Sequence, residues 1–124
     1  MTPALPCLAG VAGHAGLFTN AYDLSVLCQM LLNGGTFGGQ ELLKKKTISY
    51  FSEYHGENSR RGIGFDKPEK DNATSKDPYP ARAASPLTIG HTGYTGTCFW
   101  IDPKYNLVFV FLANRVYPDG GTNM

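Results

Sequence analysis

The chain has 124 residues, 42% of them apolar and 17% charged, with a formal net charge of +1. That length fits one domain burying roughly two-thirds of its unfolded surface, and the composition is that of a globular rather than a disordered chain. The near-neutral charge excludes the strong basic field that nucleic acid or an anionic membrane surface demands, and no apolar run approaches the roughly 18 residues of a membrane span.

Met1 to Gly10 lacks a positively charged start and a sustained apolar stretch, so it does not read as a signal peptide. Cys7, Cys28 and Cys98 are odd in number and widely spaced, which fits neither a disulfide framework nor a zinc knuckle. A Gly-rich run, Gly13-His14-Ala15-Gly16-Leu17-Phe18-Thr19, leads into the first predicted helix. Asn20 followed by Asp23 resembles a capping box, with Thr19 as the alternative cap. Leu24, Leu27, Cys28, Leu31 and Leu32 then fall on one helical face, and Gly34-Gly35 ends it.

A second, shorter helix is predicted over about Lys45 to Tyr54, burying Ile48 and Phe51. Arg61 to Asp66 is β-inclined and reads as an edge strand. Residues Lys67 to Pro86 hold many prolines and charges without periodicity, and read as a long surface loop. The β part follows, with strands over Leu87 to Tyr94, Thr97 to Asp102 and Leu107 to Ala113. The last of these has no polar alternation, so it needs cover on both faces, and nothing after it can serve. Tyr94, Phe99, Trp100, Phe109 and Phe111 are expected to be core residues rather than a stacking platform. The whole reads as one α+β domain, 1–124, with a helical region over 10–66, a loop over 67–86 and a sheet over 87–117.

The chemistry-bearing motif is Gly90-His91-Thr92-Gly93-Tyr94-Thr95-Gly96, on a strand leading into the terminal hairpin. A glycine there lets backbone approach a substrate closely, and a strand beside a nucleophile offers N–H groups to a developing oxyanion. Taken with the Gly13–Thr19 run, the Asp23-Leu24 pair, the Asn33-Gly34-Gly35 stop and the Gly62–Phe65 segment, it resembles the penicillin-recognising serine hydrolases, the β-lactamase/transpeptidase-like family. The likeness covers roughly Gly10 to Tyr117 and is nearest the class C β-lactamase and esterase branch.

The resemblance implies an acyl-serine reaction on β-lactams, cell-wall peptides or small esters, with no cofactor and no metal. It implies that His91 stands where the family most often has Lys, that Thr92 and Gly93 match directly, and that the Tyr94 N–H donates to the oxyanion. His14 and Ala15 would form the opposite, substrate-binding rim of the cleft. Because imidazole titrates near neutrality and lysine does not, His91 implies a weaker grip on substrate carboxylates than Lys would give. A periplasmic or extracytoplasmic location is implied as well, since the family is usually exported.

The family's other two motifs are absent. None of the six serines is followed three residues later by Lys, and no Tyr is followed two residues later by Asn. The chain is therefore expected to be the C-terminal part of such a hydrolase, a partial fold with a three-stranded antiparallel sheet and two or three helices. It is expected to be inactive alone and to associate with itself through open strand edges. A non-catalytic module binding a ligand or partner in the same cleft is the alternative.

Overall fold

The computed structural model describes residues 16–118, and its elements run α1 (Ala21–Leu32), β1 (Thr36–Phe37), β2 (Gln40–Glu41), α2 (Lys45–Ser52), β3 (Ile89–Thr92), β4 (Cys98–Asp102) and β5 (Leu107–Phe111). The expected capping box starts α1. Asn20 Oδ1 accepts from the Asp23 N–H at 3.0 Å while Asn20 Nδ2 donates to Asp23 Oδ2 at 2.8 Å. At the other end Gly34 and Gly35 adopt φ of 73° and 99°, and their N–H groups donate back to Leu31 and Met30. That is a Schellman closure, which requires the left-handed region that glycine enters freely.

The buried face of α1 centres on Cys28, 1% exposed, with Leu24, Leu31 and Leu32 beside it. Leu27, placed on the apolar face by its spacing, is 46% exposed. It lies a quarter-turn round the helix from Cys28, beyond the reach of the sheet.

After Gly35 comes a small hairpin absent from the sequence expectations. β1 and β2 pair across Phe37-Gly38-Gly39-Gln40, with φ of 58° and 79° at the two glycines, the geometry of a two-residue primed turn. The second helix is found, ending two residues earlier than expected, but it buries nothing. Ile48 is half-buried and Phe51 exposed, so the expected packing of Phe51 is corrected. The edge strand expected over Arg61 to Asp66 shrinks to a single bridge between Asp66 and Gly90, because Gly64 at φ 79° turns the chain just before it.

Residues 67–86 form no helix or strand, yet they are not simply a surface loop. Lys67, Pro68, Asn72 and Ser85 are buried. The loop closes on itself through its own polar groups: Asn72 Nδ2 donates to the Ala81 carbonyl and Asn72 Oδ1 accepts from the Tyr79 N–H, both at 2.8 Å. Lys67 Nζ spans the loop's mouth, donating to the carbonyls of Pro86 at 3.1 Å and Thr88 at 3.4 Å. Burial pushes the Lys67 ammonium below its ordinary pKa.

The main sheet has the antiparallel order β3-β4-β5. The register aligns Ile89 with Ile101 and Val108, and His91 with Phe99 and Val110, on the face that meets α1. Gly90, Trp100 and Phe109, and Thr92, Cys98 and Phe111, share the other face. Ile101 and Ile89, 0% and 3% exposed, form the core with Cys28.

The second face is largely open. Leu107, Phe109 and Phe111 are each about half exposed (48–52%), although the loop at Pro80–Ala84 reaches over one end to frame an apolar trough of about 680 Å³ with Trp100 and Tyr105. The expected core placement of Tyr94, Phe109 and Phe111 is thereby corrected, while Phe99 and Trp100 are half-buried. Alternation decides exposure on β5: valines face α1 and the larger residues face a side that the described residues leave bare.

Candidate active-site cleft

Three segments meet at one end of the sheet. Leu17, Phe18 and Thr19 precede α1, His91, Thr92 and Gly93 end β3, and Leu112, Ala113 and Asn114 follow β5. Between them lies an open cleft of about 720 Å³, floored by Thr97, Cys98 and Phe99 of the neighbouring strand. The structure thus brings the His91-Thr92-Gly93 segment to a concave surface at the edge of the sheet. No serine is among the residues lining it. His14 and Ala15, the expected opposite rim, lie outside the described residues, whereas Leu17 to Thr19 directly after them line the cleft.

His91 is exposed, and its Nδ1 lies 2.7 Å from the carbonyl oxygen of Thr92. A carbonyl only accepts, so Nδ1 carries the hydrogen and Nε2 is left as the ring's second polar atom for solvent or ligand. Thr92 is also exposed, at the outer edge of the sheet. Its side chain interacts with the Tyr79 hydroxyl, which donates to Asp66 Oδ2 at 2.9 Å. Asp66, 1% exposed, exchanges two backbone hydrogen bonds with Gly90, and its Oδ1 meets Arg60 and Arg61 at 3.2 and 3.0 Å. The Arg60 guanidinium lies over the Tyr79 ring at 4.0 Å, and that ring stands edge-on to Trp100. Burial first, then the bond to Asp66, raises the Tyr79 phenol above its ordinary pKa. β3 is therefore pinned from outside by a charged network two residues before Thr92.

Gly93 leaves room for the Thr97 hydroxyl. A β-carbon there would push Thr97 Oγ1 aside, and the Gly93 N–H donates to the Thr97 carbonyl at 2.7 Å. The Gly93 carbonyl accepts from the Gly96 N–H at 3.0 Å, closing a four-residue turn in which Gly96 has φ 91°. Since a trans peptide sets C=O and N–H on opposite sides, this bond points the Tyr94 N–H out of the turn. The Tyr94 side chain is 73% exposed. From the segment beyond β5, Arg115 returns to this turn: its N–H donates to the Thr95 carbonyl at 3.0 Å and its Nε to the Tyr94 carbonyl at 2.9 Å.

Sequence reasoning singled out neither Asp66, Tyr79, Arg115 nor Asn114. Asn114 could have been suspected, standing just past an apolar strand where a hairpin returns to the motif. Tyr79 sits in an aperiodic loop, and nothing local marks it.

Comparison with known proteins places the chain in a family. Relatives from Salmonella enteritidis PT4, Salmonella gallinarum and Salmonella typhi, provisionally named D-alanyl-D-alanine carboxypeptidases, are each 41% identical to this chain over 108 residues. Those residues make up 87% of this chain but 24% of each relative, so the chain spans about a quarter of the length of the curated relatives it matches. The family model described as Beta-lactamase matches residues 1–123. A partial α+β fold with its His-Thr-Gly strand on the rim of a cleft, matched by that model along nearly all its length, belongs to the beta-lactamase family.

Proposed function

We propose that this chain supplies the third-motif wall of an acyl-serine hydrolase acting on peptides ending in D-alanyl-D-alanine, or on β-lactams and esters of similar shape. The substrate class rests on the names of the Salmonella relatives, and the mechanism on the family. The observation that carries the reading is that His91, Thr92 and Gly93 line one cleft, with Tyr94 next in the chain and its N–H turned out of the adjoining turn.

A serine hydroxyl from outside these residues attacks the substrate carbonyl, its proton passing to a base in the same missing region. The Tyr94 N–H stabilises the resulting oxyanion. Collapse expels the leaving amine with a proton, and water then releases the acyl group. Thr92 Oγ1 donates to the substrate's terminal carboxylate, and His91 Nε2 does so when the ring carries hydrogen on both nitrogens. Among the described residues no serine lines the cleft, which favours inactivity of the chain alone and leaves ligand binding without turnover as the second reading.

The test uses two proteins: this chain, and a Salmonella relative carrying this chain's residues in place of its own matched segment. A fluorescent penicillin or a fluorophosphonate should label the grafted enzyme and leave the 124-residue chain unlabelled. Covalent labelling of the chain at any of its own serines would sink the proposal.

A further inference from the structure

Arg115 lies outside every motif, yet the turn carrying Tyr94 depends on it from two sides. Its backbone N–H takes the Thr95 carbonyl and its Nε takes the Tyr94 carbonyl, so two consecutive peptide planes of the turn are held by one residue. The guanidinium carbon lies 5.6 Å from the centre of the Tyr94 ring, close enough for a cation–π contact. The aliphatic stem packs over the backbone at Gly96, where an added β-carbon would meet Arg115 Cδ at 3.2 Å. The turn itself has one internal closing bond, Gly96 N–H to the Gly93 carbonyl. A turn with two glycines in four residues is conformationally loose unless something outside it fixes the intervening peptides.

We infer that Arg115 is a positioning residue for the Tyr94 turn, holding the two peptides that follow the one whose Tyr94 N–H faces the reacting carbonyl, and setting a positive charge behind them. The inference rests on the proposed role of this turn in the complete site. Oxyanion stabilisation requires donors oriented before reaction, and a donor that must be ordered during the reaction loses part of its worth. A residue acting this way affects the rate of the acylation step more than ground-state binding.

Arg115→Met keeps the stem over Gly96 and removes the charged donor. Arg115→Lys keeps a charged donor for the Tyr94 carbonyl without the planar fork. In the grafted enzyme, Arg115→Met is expected to lower kcat about tenfold with KM within about twofold, and Arg115→Lys to recover most of that loss. In the 124-residue chain, the Thr95 amide nitrogen shares a peptide plane with the Tyr94 carbonyl. Its NMR signal should move in Arg115→Met and return toward the parent position in Arg115→Lys. An unchanged Thr95 signal, or a kcat loss matched by an equal rise in KM, overturns the inference. If His91→Ala and Thr92→Val abolish labelling while Arg115→Met labels at the parent rate, Arg115 alone has been misread. If the unmutated graft is never labelled, the proposed function fails first, and the NMR arm still decides whether Arg115 orders the turn.

Discussion

Asp102 offers the sharpest test of what holds the loop against the sheet. Its carboxylate is 4% exposed and accepts four hydrogen bonds. Oδ2 takes the Ser85 N–H at 2.9 Å and the Thr88 hydroxyl at 2.7 Å, while Oδ1 takes the Ser85 hydroxyl at 2.7 Å and the Lys104 N–H at 3.0 Å. These bonds fasten the end of the 67–86 loop to the last residue of β4. Asp102→Ala would strand three donors on Ser85 and Thr88, which are 3% and 2% exposed, whereas the Lys104 N–H can turn to water. At about 1–3 kcal/mol for each buried donor left unsatisfied, less the burial cost of the charge removed, the net loss is about 3–4 kcal/mol. Asp102→Asn keeps one accepting oxygen but sets an amide nitrogen against two donors, and should cost about 2–3 kcal/mol. Against a usual total of about 5–15 kcal/mol, either is large.

The pH dependence follows from the same bonds. Burial alone would raise the Asp102 pKa, but the Ser85 N–H and hydroxyl, the Thr88 hydroxyl and the Lys104 N–H together hold it below the ordinary carboxylate value. A carboxyl depressed in the folded state adds stability that is present above its unfolded pKa of about 3.9 and is lost as pH falls through the folded value. Urea denaturation of parent and variants, at pH 7 and near pH 2 and at several protein concentrations, measures both effects. An Asp102→Ala loss under about 1 kcal/mol at pH 7, or one of equal size at both pH values, refutes the reasoning.

Other outcomes follow from neighbouring features. Tyr79→Phe keeps the ring on Trp100 but loses the bond to Asp66, and should cost about 1–2 kcal/mol in the same melts, against about 3–4 for Tyr79→Ala. Gly90→Ala drives a methyl into the Phe99 carbonyl and the Trp100 indole, so a loss above about 2 kcal/mol is expected by thermal denaturation. In the grafted enzyme, His91→Lys should lower KM for a carboxylate-bearing penicillin about tenfold and leave a neutral ester unaffected, as steady-state kinetics would show. The face of β5 left open by the described residues, and its outer edge, unpaired among them, should make the 124-residue chain self-associate with rising concentration in light scattering. Phe109→Lys should reduce that association, and a sharp monomer peak for the unmutated chain at high concentration would count against it.

The sequence was most legible where local rules act alone. The Asn20 cap, the Gly34-Gly35 stop and the three strands of the hairpin region are set by side-chain capping, left-handed glycines and β-branched runs, and all appear within a few residues of their expected ends. The small hairpin at Gly38-Gly39 was missed because the flanking strands are two residues long, too short for alternation to register. Where burial depends on partners remote in the chain, pattern gave no guide. Phe109 and Phe111 look like core residues, yet they face a side that the described residues cover at one end only. Conversely, Lys67, Asp66 and Asn72 look like surface residues, yet they are buried, because each finds carbonyls, guanidinium groups or amides many positions away. The cleft was readable from its motif, while the supports behind it, Tyr79 and Arg115, became visible only when the loop and the chain beyond β5 were seen folded against the strand.

The bare backbone at Gly90 gives β3 an uneven tolerance for change. The indole of Trp100 rests where a side chain would otherwise stand, and Tyr79 leans on that indole in turn. Drift at position 90 would therefore disturb the whole outer pin at once, whereas His91, one residue further on and open to solvent, can vary with little mechanical consequence. Variation in such a strand is channelled toward its tip, where a new side chain meets solvent before it meets the scaffold.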